Sequence, residues 1–140
     1  FFTGPFATDL KADEILVEIR VPGPGRRSGG AYLKLERKVG DFATAAVAVQ
    51  LELGADGSCE RAGIGLTNVG ETPIKATAAE AALKGKRPDE ATIKRAAELA
   101  AAAARPSADL RGSAEYKKDL VRVLTARALR KALERAAGGR

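Results

Sequence analysis

The first half of the chain alternates between apolar and polar residues, which is the pattern of β-strands. Four stretches carry this alternation: 14–21, 30–36, 44–53 and 59–69. A period of two places neighbouring side chains on opposite faces of a sheet, so each stretch is expected to bury one face. An Asp-Gly pair in the turn at 54–58 favours a hairpin between the last two stretches. Residues 1–10 are expected to be extended.

The second half changes to apolar residues at intervals of three and four, which predicts helices. A first helix is expected to begin with a capping box, Thr77-Ala78-Ala79-Glu80, and to end at Gly85. A second helix is expected over residues 89–104, where Arg105-Pro106 would end it, and a third over residues 113–136.

Strands followed by helices indicate an α+β fold. We predict a two-layer sandwich, in which an antiparallel sheet of three to four strands is covered on one face by three helices. The whole chain, 1–140, is expected to be a single domain, with residues 1–75 mainly strands and residues 76–136 the helices. A chain of 140 residues is long enough to bury a core without disulfides or metals.

The stretch around residue 32 offers the most chemistry. Its apolar face and its polar face alternate as Ala31, Leu33 and Leu35 against Tyr32, Lys34 and Glu36. A basic turn follows, closed by Gly40 and Asp41. An aromatic ring and an ammonium on one face, beside a glycine-containing loop, suit a flat, electron-rich ligand. An ordinary solvated strand face has the same composition and is the alternative interpretation.

Glycines are concentrated in two places. The connection at 23–30 lacks the Lys-Ser/Thr ending of a phosphate-binding loop, and no helix is predicted after it, so we expect only a flexible link. Gly63 and Gly65 leave one face of the 59–69 stretch almost bare. Glycine in a strand often marks a close approach by another backbone or by a ligand, and both alternatives are open here.

Several kinds of catalysis are excluded by the residue types that the chain lacks. It has no histidine and one cysteine, Cys59, which rules out histidine-based acid–base chemistry, a structural zinc site and an iron–sulfur cluster of its own. We therefore expect no catalytic residue and no metal ligand. A single cysteine excludes an internal disulfide and favours a reducing compartment such as the cytoplasm. No apolar run reaches the length of a membrane span.

The net charge of +6 is concentrated at the C-terminal end. From Lys117 to Arg140 there are eight basic and two acidic residues, which accounts for the whole excess. Such a helix face could meet phosphates, an acidic protein, or only solvent near the negative end of the helix dipole. Because no aromatic residues are interleaved, an acidic partner is favoured over nucleic acid. A non-catalytic interaction module that binds through this helix is the alternative to a role for the strand face.

Five short motifs occur in an order that is familiar from one protein family. They are Phe1-Phe2-Thr3-Gly4, Asp13-Glu14-Ile15, the stretch 32–43, Gly70-Glu71-Thr72-Pro73 and Gly112-Ser113-Ala114-Glu115-Tyr116. With these motifs the chain resembles, over nearly its whole length, the C-terminal domain of the FAD-binding medium subunit of molybdenum hydroxylases. The resemblance is closest to aerobic carbon monoxide dehydrogenases and more distant to xanthine dehydrogenases. It implies the same two-layer α+β fold.

The resemblance implies an electron-transfer role. In this family a large subunit oxidises substrate at a molybdenum cofactor, a small subunit carries [2Fe–2S] clusters, and the medium subunit passes electrons through FAD to an external acceptor. The implied partners are both of those subunits and an upstream FAD-binding domain that is missing from this chain. A chain that begins with Phe1 is expected to be a piece of a longer polypeptide, and alone it should bind FAD weakly.

Three residues are cofactor-binding candidates through the resemblance. Lys34 matches a family lysine beside the N1 and C2 carbonyl side of the flavin, where an ammonium would stabilise the negative charge of reduction. Tyr32 corresponds to an aromatic residue near the ring in the carbon monoxide dehydrogenase branch. Asp41 lies in the loop 37–41, which matches a flavin-neighbouring segment of the xanthine dehydrogenase branch. That segment is longer and more acidic there, so its acceptor-gating role is not carried over.

Overall fold

A four-stranded antiparallel sheet forms one layer of the computed structural model, which describes residues 1–138. A short hairpin of β1 (Phe2–Gly4) and β2 (Ala7–Thr8) comes first in the chain. The sheet consists of β3 (Ser28–Leu35), β4 (Ala45–Leu53), β5 (Cys59–Thr67) and β6 (Ile74–Lys75), in that spatial order. The Asp-Gly turn joins β4 to β5 as expected, with Gly57 at a φ of +82°.

Three helices form the second layer: α1 (Thr77–Leu83), α2 (Glu90–Ala103) and α3 (Ala114–Ala136). Helix α3 lies against β3 and β4, α1 lies against β5, and α2 packs on both other helices. Two of the helices begin at a residue whose side chain accepts a backbone N–H, Asp89 for α2 and Ser113 for α3. The predicted α+β sandwich is confirmed, with four strands.

The core lies between the two layers and is built from small and medium-sized side chains. The inner face of the sheet contributes Val47, Val49, Leu51, Ile64 and Leu66, all of them buried. Alanines on α2 and α3 let the helices approach closely. The closest approach is at Gly29, where a Cβ atom would collide with the backbone of α3 at Ala132 and Ala136.

The strand predicted over residues 14–21 is wrong. These residues pair with no other strand among residues 1–138, and Ile15, Val17 and Ile19 are 84%, 88% and 78% exposed. An alternating pattern states which side chains share a face, but it does not supply a neighbouring strand with which to exchange hydrogen bonds. The fourth strand of the sheet is instead the short β6.

The capping box predicted at the start of α1 is also wrong. Thr77 is the first helical residue, and Ala76 precedes it without a side-chain cap. Glu80 is used elsewhere: its Oε1 accepts the backbone N–H of Ile64 on β5 at 2.9 Å, and its Oε2 lies 3.7 Å from Lys75 Nζ. A tertiary contact has therefore taken the carboxylate that a capping box would need.

Candidate functional site

The middle of the sheet face opposite the helices is open, whereas residues 21–25 lie against one end of it. One row across it consists of Tyr32, Ala48, Gly65 and Lys75, which are Cα partners from strand to strand. A Cβ atom at Gly65 would meet nothing within 4 Å. No helix of the described chain covers Gly63 or Gly65, and a shallow depression of about 610 Å³ lies over the middle of the sheet. The open sheet face can therefore accept a planar group in van der Waals contact.

Tyr32 and Lys34 share this face, as their alternation predicted. Tyr32 is 58% exposed and lies opposite Ala48, whereas Lys34 lies one row further along, opposite Ala46. The surroundings of the two side chains differ: Ala48 opposite Tyr32 is exposed, whereas Ala46 opposite Lys34 is buried and the Lys34 side chain is only 29% exposed. The site thus has an aromatic ring and a cation next to the small, exposed residues Ala48 and Gly65.

Lys34 is held by two acceptors. Its Nζ lies 2.5 Å from Glu36 Oε2 and donates a hydrogen bond of 3.2 Å to the backbone carbonyl of Asp41. The contact with Glu36 is the largest cause of a raised pKa for Lys34, and the negative charge of Asp41 acts in the same direction. The ammonium is consequently charged at neutral pH, and its position is defined.

Asp41 uses its carboxylate for contacts within the protein. Oδ1 accepts the backbone N–H of Phe42 at 2.8 Å and lies 3.1 Å from Arg111 Nη2, while Oδ2 lies 3.4 Å from Arg37 Nε. The N–H of Phe42 is the largest cause of a lowered pKa for Asp41, and Arg37 and Arg111 lower it further. What Asp41 offers to Lys34 is its carbonyl oxygen and not its carboxylate.

The loop between β3 and β4 borders the open sheet face. Gly40 lies in this loop with a φ of +83°, a conformation that glycine adopts without strain. Val39 and Phe42 are 96% and 77% exposed. The loop therefore presents apolar surface at the edge of the site.

Two residues of this cluster were not predicted from the sequence. Glu36 follows β3 directly and lies two residues from Lys34 on the polar side of the predicted alternation, and that spacing could have identified it as the counterion. Arg111 lies on the connection between α2 and α3, 70 residues from Asp41. No pattern in the sequence joins those two positions, because their contact depends on how the helices return to the sheet.

Several basic side chains of α3 already have partners within the protein, so fewer are left for an outside partner than the composition suggested. Arg122 pairs with Asp119 at 2.7 Å, Arg130 pairs with Glu90 at 2.6 Å, and Arg135 donates to the Gly30 carbonyl. Within residues 1–138, Arg127 and Lys131 have no ion pair and are exposed. Arg140, which contributed to the predicted basic tail, lies outside the described residues. The face left for a phosphate stripe is therefore small.

Other chemistry is sparse in the described part of the chain. Residues 1–138 contain no group of three His, Cys, Asp or Glu side chains that could hold a metal ion. Cys59 is buried, and burial raises the pKa of its thiol, which makes it a poor nucleophile. Among the helices described here, none is both long and apolar enough to cross a membrane.

The family model of the CO dehydrogenase flavoprotein C-terminal domain matches residues 30–132. The chain belongs to this family. It is 42% identical to the carbon monoxide dehydrogenase medium chain of Afipia carboxidovorans, over 97% of this chain and 47% of that protein. The corresponding medium chain of Hydrogenophaga pseudoflava is 39% identical, over 98% of this chain and 47% of that protein.

A solved structure of this family has the same fold. Carbon monoxide dehydrogenase from Hydrogenophaga pseudoflava, in a form that lacks the Mo-pyranopterin moiety of its molybdenum cofactor, superposes with a TM-score of 0.92 at 44% identity. The match covers 96% of this chain and 47% of that one. The resemblance drawn from the five motifs is thus confirmed. The chain spans about half the length of the curated relatives that it matches.

Proposed function

We propose that this chain is the C-terminal part of the FAD-binding medium subunit of a molybdenum-containing hydroxylase of the aerobic carbon monoxide dehydrogenase type. Its role is to complete the flavin pocket of an oxidoreductase complex, and it is not catalytic alone. FAD, when bound, relays electrons from [2Fe–2S] clusters to an external acceptor. The observation that carries this proposal is the pairing of Lys34 and Tyr32 on an open sheet face in a chain of this family.

The residues of the open sheet face fit a flavin. A planar tricyclic ring needs a flat surface, and Ala48 and Gly65 provide one that no side chain of the described chain covers. The exposed ring of Tyr32 supplies an aromatic edge. Lys34 supplies a cation where reduction would add negative charge to the ring.

Three residues have proposed roles at the flavin. Lys34 stabilises the reduced form electrostatically, and Tyr32 packs beside the ring system. Asp41 acts indirectly, through Lys34, because its carbonyl holds the Lys34 ammonium and its carboxylate faces Arg37 and Arg111. No residue here is proposed to transfer a proton, since the chain has no histidine and the cysteine is buried.

The proposed partners are an upstream FAD-binding domain, an iron–sulfur small subunit and a molybdenum large subunit, working in the cytoplasm. The segment 14–21 supports the first of these, because an alternating stretch with its apolar residues exposed is suited to pairing with a strand of another domain. Phosphates and adenosine carry most of the affinity for a dinucleotide, so the upstream domain is expected to hold them.

The proposal is tested by replacing Lys34 in the complete flavin-loaded subunit. Lys34→Ala removes the cation beside the ring, so the midpoint potential of the bound flavin should fall and reduction by the clusters should slow. Potentiometric titration followed by flavin absorbance measures the shift. Lys94→Ala, which removes a lysine from α2 on the other layer, is the matched control. An unchanged potential in the Lys34 variant would remove Lys34 from the flavin site.

A further inference from the structure

The connection between α2 and α3 is held by hydrogen bonds and an ion pair. Asp109 and Gly112 exchange two backbone hydrogen bonds of 3.1 Å. The Asp109 carboxylate accepts the backbone N–H of Arg111 at 2.8 Å and lies 2.8 Å from Lys117 Nζ. Lys117 is nearly inaccessible, with 4% of its side chain exposed, and it also donates to the Ser107 carbonyl at 2.9 Å. A buried ammonium therefore fixes the backbone from which the Arg111 side chain extends.

The Arg111 side chain extends from this connection to the loop between β3 and β4. Its Nη2 lies 3.1 Å from Asp41 Oδ1, and the side chains of Arg111 and Asp41 are only 28% and 12% exposed. Water and salt screen such a pair less than they screen a pair on the surface. This ion pair thus links the connection between α2 and α3 to the loop at the edge of the open sheet face.

The same loop residue holds Lys34. The Asp41 carbonyl accepts from Lys34 Nζ at 3.2 Å, and the Asp41 N–H donates to the Lys38 carbonyl at 3.1 Å within a tight turn. A shift of the Asp41 carboxylate would therefore move the carbonyl that Lys34 uses. The remaining partner of the ammonium would then be the Glu36 carboxylate alone, which no longer fixes its position from two sides.

We propose that Arg111 is a positioning residue, which acts through Asp41 to fix where the Lys34 ammonium lies on the open sheet face. This inference rests on the proposed function, since the flavin is what reports the position of the ammonium. Arg111 itself does not touch the ring in this account. Its loss lets the loop relax, removes the carbonyl that holds Lys34 in place, and lets the ammonium move away from the position in which it acts on the flavin.

A double-mutant cycle on the complete, FAD-loaded subunit in its complex tests this inference. The proteins compared are wild type, Lys34→Ala, Arg111→Gln and the double variant, and the measured quantity is the midpoint potential of the flavin. Arg111→Gln should lower the potential by less than Lys34→Ala does. It should cause no further shift once Lys34 is absent, because residues that act through one another are not additive.

Three further variants separate positioning from a general loss of structure. Asp41→Asn keeps the loop carbonyl but loses the attraction to Arg111, so it should reproduce the shift of Arg111→Gln even if the latter loads flavin poorly. Arg111→Lys keeps a cation and should restore most of the wild-type potential. Arg95→Gln removes an exposed arginine that lies 3.6 Å from Glu98 on α2, and it should leave the potential unchanged.

The outcomes distinguish the inference from the proposed function. If Arg111→Gln leaves the potential unchanged, or shifts it equally with and without Lys34, the positioning role is overturned while Lys34 keeps its place at the flavin. If Lys34→Ala leaves the potential unchanged, the flavin contact itself is wrong, and the inference fails with it.

Discussion

At the scale of single residues, the two oxygen atoms that contact the Lys34 ammonium decide how much positive potential the open sheet face presents. The ammonium lies between a carboxylate at 2.5 Å and a carbonyl oxygen at 3.2 Å. A carboxylate at this distance cancels much of the field of the cation, whereas an uncharged carbonyl group cancels less of it. Glu36 is therefore expected to oppose the effect of Lys34 on any group bound to this face.

Replacing Glu36 should move the flavin potential in the opposite direction to replacing Lys34. Glu36→Gln keeps the shape of the side chain and removes the negative charge, so the potential of the bound flavin should rise. Redox titration of the loaded subunit measures it. Glu52→Gln is the control, because Glu52 lies on the same sheet face but pairs with Arg61. A fall in the potential of the Glu36 variant would contradict the electrostatic account.

The sequence predicted this cluster only in part. A period of two placed Tyr32 and Lys34 on one face because alternation is a local property of a strand. The partner of Asp41 is a different matter, since Arg111 lies 70 residues further along the chain. Its position depends on the path of α2 and on the contacts that Lys117 makes with the connection between α2 and α3. Local pattern carries no information on either.

At the scale of secondary structure elements, two glycines in the sheet have opposite reasons for being there. Gly29 on β3 faces the helices, and a side chain would collide with the backbone of α3. Gly65 on β5 faces outward, where a side chain would meet nothing within 4 Å. The first glycine is therefore needed for packing of the two layers. The second is not needed by this chain and leaves room for something bound above it.

Substituting the two glycines should separate folding from binding. Gly29→Ala is expected to lower the free energy of unfolding by about 1–3 kcal/mol, the range for overpacking a tight core. Gly65→Val should change it by less than about 0.5 kcal/mol, since the site is a surface position, yet it should reduce flavin loading of the complete subunit. Urea unfolding and flavin-to-protein absorbance ratios measure the two effects. Normal loading of the Gly65 variant would mean that nothing flat binds there.

The elements themselves were predicted well where the signal was local. Strands β4 and β5 follow from alternation and an Asp-Gly turn, and α2 and α3 begin at cap residues that can be read from the sequence. The failures involve partners at a distance. The segment 14–21 has the pattern of a strand but no neighbour among the described residues, and Glu80 bonds to β5 instead of capping α1.

At the scale of the whole molecule, the described part of the chain leaves two surfaces open. One is the open sheet face with Tyr32 and Lys34, and the other is the apolar segment that includes Ile15, Val17 and Ile19. Both are unusual for a domain that works alone, because large exposed apolar side chains commonly mark interaction sites. Under the proposed function, both surfaces belong to a flavin pocket that this chain shares with an upstream domain.

The most direct test of the shared pocket is the visible absorption spectrum of this chain, purified alone and then together with the polypeptide that precedes it. We expect no flavin bands in the first sample, because the proposed function assigns the phosphate and adenosine contacts to the upstream domain. In the second sample we expect flavin bands, which Lys34→Ala should retain at a lower potential. Stoichiometric flavin on the chain alone, or none in the combined sample, would contradict the account.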